Sequence, residues 1–204
     1  MGFPTPTAWY DRLVISSAEW QECEGVPVAT ATVRHDAFLF QHVAGALGLL
    51  ATYAPATLEQ IRALMRGVVV GPLYGARGEW RQSIRLCVLS IEYLRKEQPS
   101  APAIAATIVH ELAHARLDAL GIVSTEERCG RIERICFRAS QRFLQSLPAS
   151  SDRDAALHEL EEYLSFDTAV WRAVLHRDYR PWYVRALVYC LRRAAHLWHR
   201  GSPT

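Results

Sequence analysis

The feature that most constrains the fold is an apolar segment, residues 103–120, that carries two histidines four positions apart. It reads AIAATIVHELAHARLDAL, and a glutamate directly follows the first histidine. Prolines at 99 and 102 precede the segment and Gly121 follows it, which predicts a helix from Ala103 to Leu120. Because most of its positions are apolar, we expect a largely buried helix, where an imidazole without a partner is costly.

His110 and His114 share one face of this predicted helix. Residues at i and i+4 lie one turn apart and about 40° apart around the axis, so both imidazoles can point at one ion. Glu111 lies about 100° round from His110, too far to bind that ion but near enough to reach a water on it. With 8 histidines and 14 glutamates in 204 residues, chance placement gives about 0.02 expected matches. The pattern therefore predicts a zinc site with Glu111 as the general base.

A catalytic zinc site needs a third protein ligand and leaves a fourth position open for water. In the next predicted helix, Glu127 shares a stripe with four arginines and belongs in water, whereas Glu133 lies among small or apolar residues. Asp118, one turn beyond His114, is better placed as a capping or supporting group. We predict Glu133 as the third ligand. The alternatives that remain open are Glu126, His158 and Cys87.

The motif helix and the helix that follows resemble the gluzincin branch of HExxH metallopeptidases. TIVHELAHARL precedes RIERICFRASQRFLQSLP, and 18 residues separate His114 from Glu133, a spacing that this branch uses. The likeness covers about residues 68–147 and extends to small uncharacterised zincin-like proteins of bacteria. It implies that His110, His114 and Glu133 hold one Zn²⁺ ion and that Glu111 is the catalytic base.

The resemblance also implies a reaction and the parts that support it. Zinc would lower the pKa of its bound water to about 7, and Glu111 would take that water's proton during peptide hydrolysis. The strand before the motif, Ser83 to Ile91, would be an edge strand that pairs with an extended substrate. A tyrosine or histidine would stabilise the oxyanion. The candidates for this role are His158, Tyr163, His176 and Tyr179.

Two other interpretations remain open at this point. A deformylase-like amidase would add Cys87 to the two histidines, but the glycine-rich signature of that family is missing. A non-catalytic sensor, regulator or binding protein would keep a zincin fold and use the metal for structure or signalling. Against it, a purely structural zinc site has no use for a base beside its first ligand and usually takes four protein ligands.

Around the motif, the chain predicts an α+β fold that is predominantly helical and zincin-like, with a small antiparallel sheet before the motif helix. We expect a loosely ordered arm over 1–33 and one domain over 34–204. Within that domain, 68–147 form the catalytic core and 152–204 the C-terminal helices. The other predicted helices are Asp36–Tyr53, Thr57–Arg66, Ser124–Leu147, Asp154–Leu164, Thr168–His176 and Pro181–His199, and Val68–Val70 leads into the predicted strands.

Composition and charge indicate the compartment and the partners of the protein. Five cysteines without a CxxC pair indicate a reducing compartment, and no secretory signal is readable, so we expect a cytoplasmic protein. The longest apolar run, Phe38 to Ala54, is interrupted by polar residues and indicates a core helix rather than a membrane span. With a net charge of +2, the arginines after Thr168 are interpreted as a solvated helix face, not a nucleic-acid surface. The expected partner is a peptide or protein substrate, and the oligomeric state stays open.

Overall fold

The computed structural model of the chain describes residues 18–30, 36–73, 75–122, 125 and 127–165. These residues form a mixed α/β structure of one five-stranded sheet, five α-helices and a π-helical turn at Tyr93–Glu97. The strands are β1 (Glu19–Cys23), β2 (Val26–Thr30), β3 (Gly67–Gly71), β4 (Gly78–Arg81) and β5 (Leu86–Ser90). The helices are α1 (Ala37–Tyr53), α2 (Pro55–Leu64), α3 (Ala101–Ala119), α4 (Cys129–Ser146) and α5 (Ser151–Ser165).

The strands follow the order β1-β2-β3-β5-β4 across the sheet. The three central strands β2, β3 and β5 run parallel, while β1 and β4 add antiparallel strands at the two edges. Strands β3 and β5, with the sequences GVVVG and LCVLS, are buried along their whole length. Continuous apolar strands of this kind fit the centre of a parallel sheet, because both of its faces are covered.

The sheet differs from the small antiparallel sheet that we expected. Strand β5 lies between β3 and β4, so the predicted edge strand Ser83–Ile91 is wrong: the edge beside the motif helix is β4. Residues 19–30, expected to belong to a loosely ordered arm, instead pair as β1 and β2. Glu24 and Gly25 join them with φ angles of 51° and 68°, the left-handed pair that a two-residue hairpin turn needs.

The helices agree with their predicted positions to within a few residues, apart from the start of α4. Asp36 caps α1 by accepting a hydrogen bond from the backbone N–H of Leu39 at 3.4 Å, and Pro55 opens α2 rather than only ending α1. Helix α4 begins at Cys129, later than the predicted cap at Ser124, and Ser124 lies outside the described residues. The predicted helices Thr168–His176 and Pro181–His199 also lie outside them.

Helix α1 contains the longest apolar run and lines the main core. Its buried face comprises Leu39, Val43, Ala46, Leu47 and Leu50. Across the described part of the chain, no helix combines the length and the apolar character that crossing a membrane requires. No disulfide joins the four cysteines described there, Cys23, Cys87, Cys129 and Cys136.

Helices α3 and α4 pack closely through small side chains. Ala113, Ile132 and Cys136 form a buried cluster between them. The hydroxyl of Ser140, which is 1% exposed, donates a hydrogen bond of 2.7 Å to the backbone oxygen of Ala106 on the other helix. Small residues let two helix backbones approach, and this hydrogen bond fixes how one helix lies along the other. The contact therefore decides which α4 residues face the histidines of α3.

Replacing Ser140 with alanine should lower the free energy of unfolding by about 1 kcal/mol, because a buried hydrogen bond between two helices is lost. Urea unfolding followed by circular dichroism measures the change. Ser146→Ala is the matched control, since its hydroxyl donates only to Phe143 within the same helix, at 2.6 Å. If both variants unfold at the same urea concentration, the contact between Ser140 and Ala106 does not hold the helices together.

Candidate metal centre

Helix α3 places His110 and His114 side by side, as their spacing predicts. Their Nε2 atoms lie 3.1 Å apart. The two side chains are largely buried, with 12% and 21% of their surfaces exposed. The Nε2 atoms of His110 and His114 therefore face one small region that is only partly exposed to solvent.

Helix α4 brings Glu133 to the same region. Its Oε2 atom lies 3.1 Å from Nε2 of His110, and its Oε1 atom lies 3.5 Å from Nε2 of His114. Ligand atoms about 2.1 Å from a tetrahedral zinc ion lie about 3.4 Å from one another. The spacing of these nitrogen and oxygen atoms therefore fits a single zinc ion.

Two of the other acids considered for this role, Glu127 and Asp118, lie elsewhere in the described structure. Glu127 is exposed, and Glu126 lies outside the described residues. The carboxylate of Asp118 accepts hydrogen bonds from Nε1 of Trp80, at 3.4 Å, and from the side-chain amide of Gln82. Asp118 therefore fastens the edge strand to the motif helix, which is a supporting role.

The more distant candidates do not join the site either. His158 is exposed on α5. Cys87 is fully buried within the main core, on β5. The deformylase-like interpretation, which needs Cys87 beside the histidines, receives no support from this position.

A residue that sequence reasoning missed, Cys136, lies beside the two histidines. Within the part of the chain that the structure describes, Cys136 Sγ and one nitrogen of each of His110 and His114 all lie within 4.8 Å of one another. Cys136 follows Glu133 by three residues and so shares its side of α4. The signal was present in the sequence, but a cysteine on a buried stripe is more often a packing residue.

The predicted base, Glu111, lies between the motif helix and the edge strand β4. Its side chain is buried, with 4% of the residue exposed, and its carboxylate accepts a hydrogen bond from the backbone N–H of Trp80. Gly78 of β4 leaves the space that this carboxylate fills, since a Cβ atom there would lie 2.9 Å from Glu111 Oε1. The strand thus holds Glu111 independently of the three predicted ligands.

Burial and charge shift the pKa values of this cluster in opposite directions. Burial raises the pKa of Glu111, although the nearby His110 and His114 oppose the shift. Burial alone would also raise the pKa of Glu133, but hydrogen bonds from both histidines hold it well below its usual range. For His114, burial lowers the pKa, but hydrogen bonds with Cys136 and Glu133 outweigh it and raise the pKa well above its usual value. Without metal, the cluster therefore favours a proton on His114 and an ionised Glu133.

Aromatic rings connect the cluster to α5. The rings of Phe137 and His110 meet edge to face, with centroids 4.4 Å apart, and the ring of Tyr163 stacks on Phe137 with centroids 5.2 Å apart. Burial raises the pKa of Tyr163. Among the four predicted oxyanion residues, Tyr163 is connected to His110 through the ring of Phe137, while His176 and Tyr179 lie outside the described residues.

One feature departs from the usual metal site. Nδ1 of His110 is buried and has no hydrogen-bond partner within the described residues. A histidine that binds a metal through one ring nitrogen usually donates a hydrogen bond from the other, which fixes the ring. Contact with Phe137 is the restraint that the structure shows for this ring.

Comparison with known proteins gives no further guide to the function. No protein-family model matches the chain, and no curated protein or solved structure is significantly similar to it. The case for any function therefore depends on the geometry of the site itself.

Added zinc should stabilise the chain against unfolding, and Glu133→Ala should weaken zinc binding by more than about tenfold, because one of three ligands is lost. At free zinc one hundred times the dissociation constant, the stabilisation should be about 2.7 kcal/mol. Calorimetric titration gives the affinities and thermal unfolding gives the stabilisation. Glu127→Ala, which removes an exposed acid near the start of α4, is the control and should bind zinc like the wild type. Equal affinities for the two variants would exclude Glu133 as a ligand.

Proposed function

We propose that this chain is a zinc-dependent metallopeptidase that hydrolyses peptide bonds, with a zincin-like arrangement of its motif helices and edge strand. The observation that carries the proposal is the convergence of His110, His114 and Glu133 at mutual distances of 3.1 to 3.5 Å. A structural zinc site would be enough to explain these three residues. It would not explain why a buried carboxylate, Glu111, lies next to them.

The proposed chemistry divides between the ion and the chain. A bound zinc ion supplies a Lewis acid that polarises water and the carbonyl group of the substrate. Glu111 accepts a proton from the attacking water and returns it to the leaving amine. Burial, which raises the pKa of Glu111 in the metal-free chain, would oppose the lowering of that pKa by a nearby metal ion, and a general base works best when its pKa is near the working pH. The N–H of Trp80 orients the carboxylate for both transfers.

Strand β4 is suited to bind an extended peptide. It pairs with β5 on one side, and no described strand pairs with its other side. An extended substrate could add to this edge through the backbone groups that do not already bond to Glu111. Because Gly78 and Trp80 of this strand contact Glu111, a peptide bound along it would lie close to the base. Tyr163, stacked on Phe137, is the best candidate to stabilise the oxyanion.

A second function, a non-catalytic sensor or binding protein that keeps the metal, is favoured by one observation. Cys136 lies within 4.8 Å of both histidines, and structural zinc sites usually have four protein ligands, often including cysteine. The buried Glu111 favours the peptidase. The free thiols agree with a reducing compartment, and a cytoplasmic location remains part of the proposal.

Glu111→Gln should keep zinc affinity and reduce peptide hydrolysis by about 10²- to 10⁴-fold, since the amide cannot accept the proton. Mass spectrometry of a mixed peptide library gives the turnover, and calorimetry gives the zinc affinity. The exposed Glu127→Gln is the control and should match the wild type in both. A Glu111→Gln variant as active as wild type would remove Glu111 from the mechanism.

Gly78→Ala should reduce turnover by about tenfold while zinc affinity stays unchanged, because the added methyl group displaces the carboxylate of Glu111. Its Cβ would lie 2.9 Å from Glu111 Oε1 and 2.8 Å from Thr107 Cγ2. Gly48→Ala in α1 is the matched control, since a Cβ there meets no atom within 4 Å. If the two alanine variants hydrolyse peptides equally fast, contact with β4 does not position the base.

A further inference from the structure

We propose that the thiolate of Cys136 is a fourth protein ligand of the metal and keeps the site closed at rest. The inference rests on the proposed function, because it concerns the same ion and the regulation of the same site. It differs from the three-ligand site that the sequence predicts, in which the fourth position is open to water. Three observations support it, and each concerns the contact between α3 and α4.

The first observation is that the ligands come in two pairs, one from each helix. His110 and His114 are four residues apart on α3, and Glu133 and Cys136 are three residues apart on α4. At both spacings, the two side chains of a pair lie on the same side of their helix. Two neighbouring helices can therefore supply four ligands to one ion without any contribution from a loop.

The second observation is the position of the sulfur atom. Cys136 Sγ lies within 4.8 Å of a ring nitrogen of each histidine, and its thiol forms a hydrogen bond with His114. In a tetrahedral shell, a sulfur atom about 2.3 Å from zinc lies about 3.6 Å from a ligand nitrogen. That separation falls within the 4.8 Å limit that the structure sets for the sulfur and the two ring nitrogens.

The third observation is that Cys136 has no access to solvent. The residue is 0% exposed and packs with Ala113 and Ile132 between the helices. A nucleophile or redox-active thiol that acts on external molecules needs a path to them, and Cys136 lacks one in the described structure. The neighbours with which its sulfur can react are therefore the metal and the other ligands.

Ligation by Cys136 has a consequence for activity. When two nitrogens, one oxygen and one sulfur surround the ion, the tetrahedral shell has no vacancy for water. Hydrolysis then requires the sulfur to leave the ion while His110, His114 and Glu133 keep it in place. The chain would rest in a closed form, and only the fraction in the open form would act on a substrate.

The test uses the full chain loaded with Co²⁺, which reports thiolate ligation as a charge-transfer band in the near ultraviolet. The band should be present in the wild type and absent in Cys136→Ser. Cys129→Ser is the matched control, since Cys129 is also a buried thiol of α4 but is not a member of the cluster, and it should keep the band. A wild type without the band, or a Cys136→Ser variant that retains it, would overturn the proposal.

A second measurement needs no variant. X-ray absorption at the zinc edge of the wild type should show one sulfur neighbour at about 2.3 Å. A shell of nitrogen and oxygen alone would overturn the proposal, and it would leave Cys136 as a hydrogen-bond partner of His114. The result does not depend on whether Cys136→Ser folds.

Peptide hydrolysis separates this proposal from the proposed function. At zinc concentrations that saturate each protein, Cys136→Ala should hydrolyse peptides about tenfold faster than wild type, the gain expected if nine tenths of the molecules are closed at rest. Equal or slower hydrolysis would overturn the closed resting state. Thiolate ligation without hydrolysis by any of these proteins would overturn the peptidase and support the fourth ligand. Hydrolysis without thiolate ligation would support the peptidase and overturn the fourth ligand.

Discussion

The close contact between α3 and α4 is the interaction on which the site depends. His114 and Glu133 are separated by 18 residues of sequence, and only the packing of one helix on the other brings their side chains within 3.5 Å. The hydrogen bond from Ser140 to Ala106, together with the small residues around it, sets the distance and the relative position of the helices. Shifting α4 by one residue along its axis, about 1.5 Å, would change the distances from Glu133 to both imidazoles by an amount comparable to half of their present length.

The same contact concentrates ionisable groups where water is scarce. Two carboxyl groups that influence each other acquire opposite pKa shifts, because Glu133 receives hydrogen bonds from both histidines while burial dominates the pKa of Glu111. A pair of carboxyl groups whose environments separate their pKa values is a common basis for dividing roles in an active site. Under the proposed function, this division would give metal binding to Glu133 and proton transfer to Glu111. A positive charge at the cluster, from a proton or a metal ion, is what lets Glu133 remain ionised.

How far the sequence could predict this site depended on whether the signal was local. The spacing of His110 and His114 predicted their proximity, and helix phase separated the exposed Glu127 from Glu133 on the buried side. The strand order was not predictable in this way, because the placement of β5 between β3 and β4 depends on pairing between distant segments. Strands β1 and β2 are short, and β2 contains Pro27. They therefore lack the sustained alternation of apolar and polar residues that identifies a strand. Cys136 was not predicted as a ligand because a single sequence does not distinguish a metal-binding cysteine from one that only packs in the core.

The backbone hydrogen bond from Trp80 to Glu111 has a wider implication. Glu111 lies on α3 between the two histidines, but the group that donates to its carboxylate belongs to the sheet, which supplies none of the proposed metal ligands. Exchange of one divalent cation for another, or its complete removal, would leave the acid anchored to the sheet. If the cluster binds a cation as proposed, its uptake would require only local adjustment of side chains on two helices, and the carboxylate of Glu111 would keep its contact with the sheet.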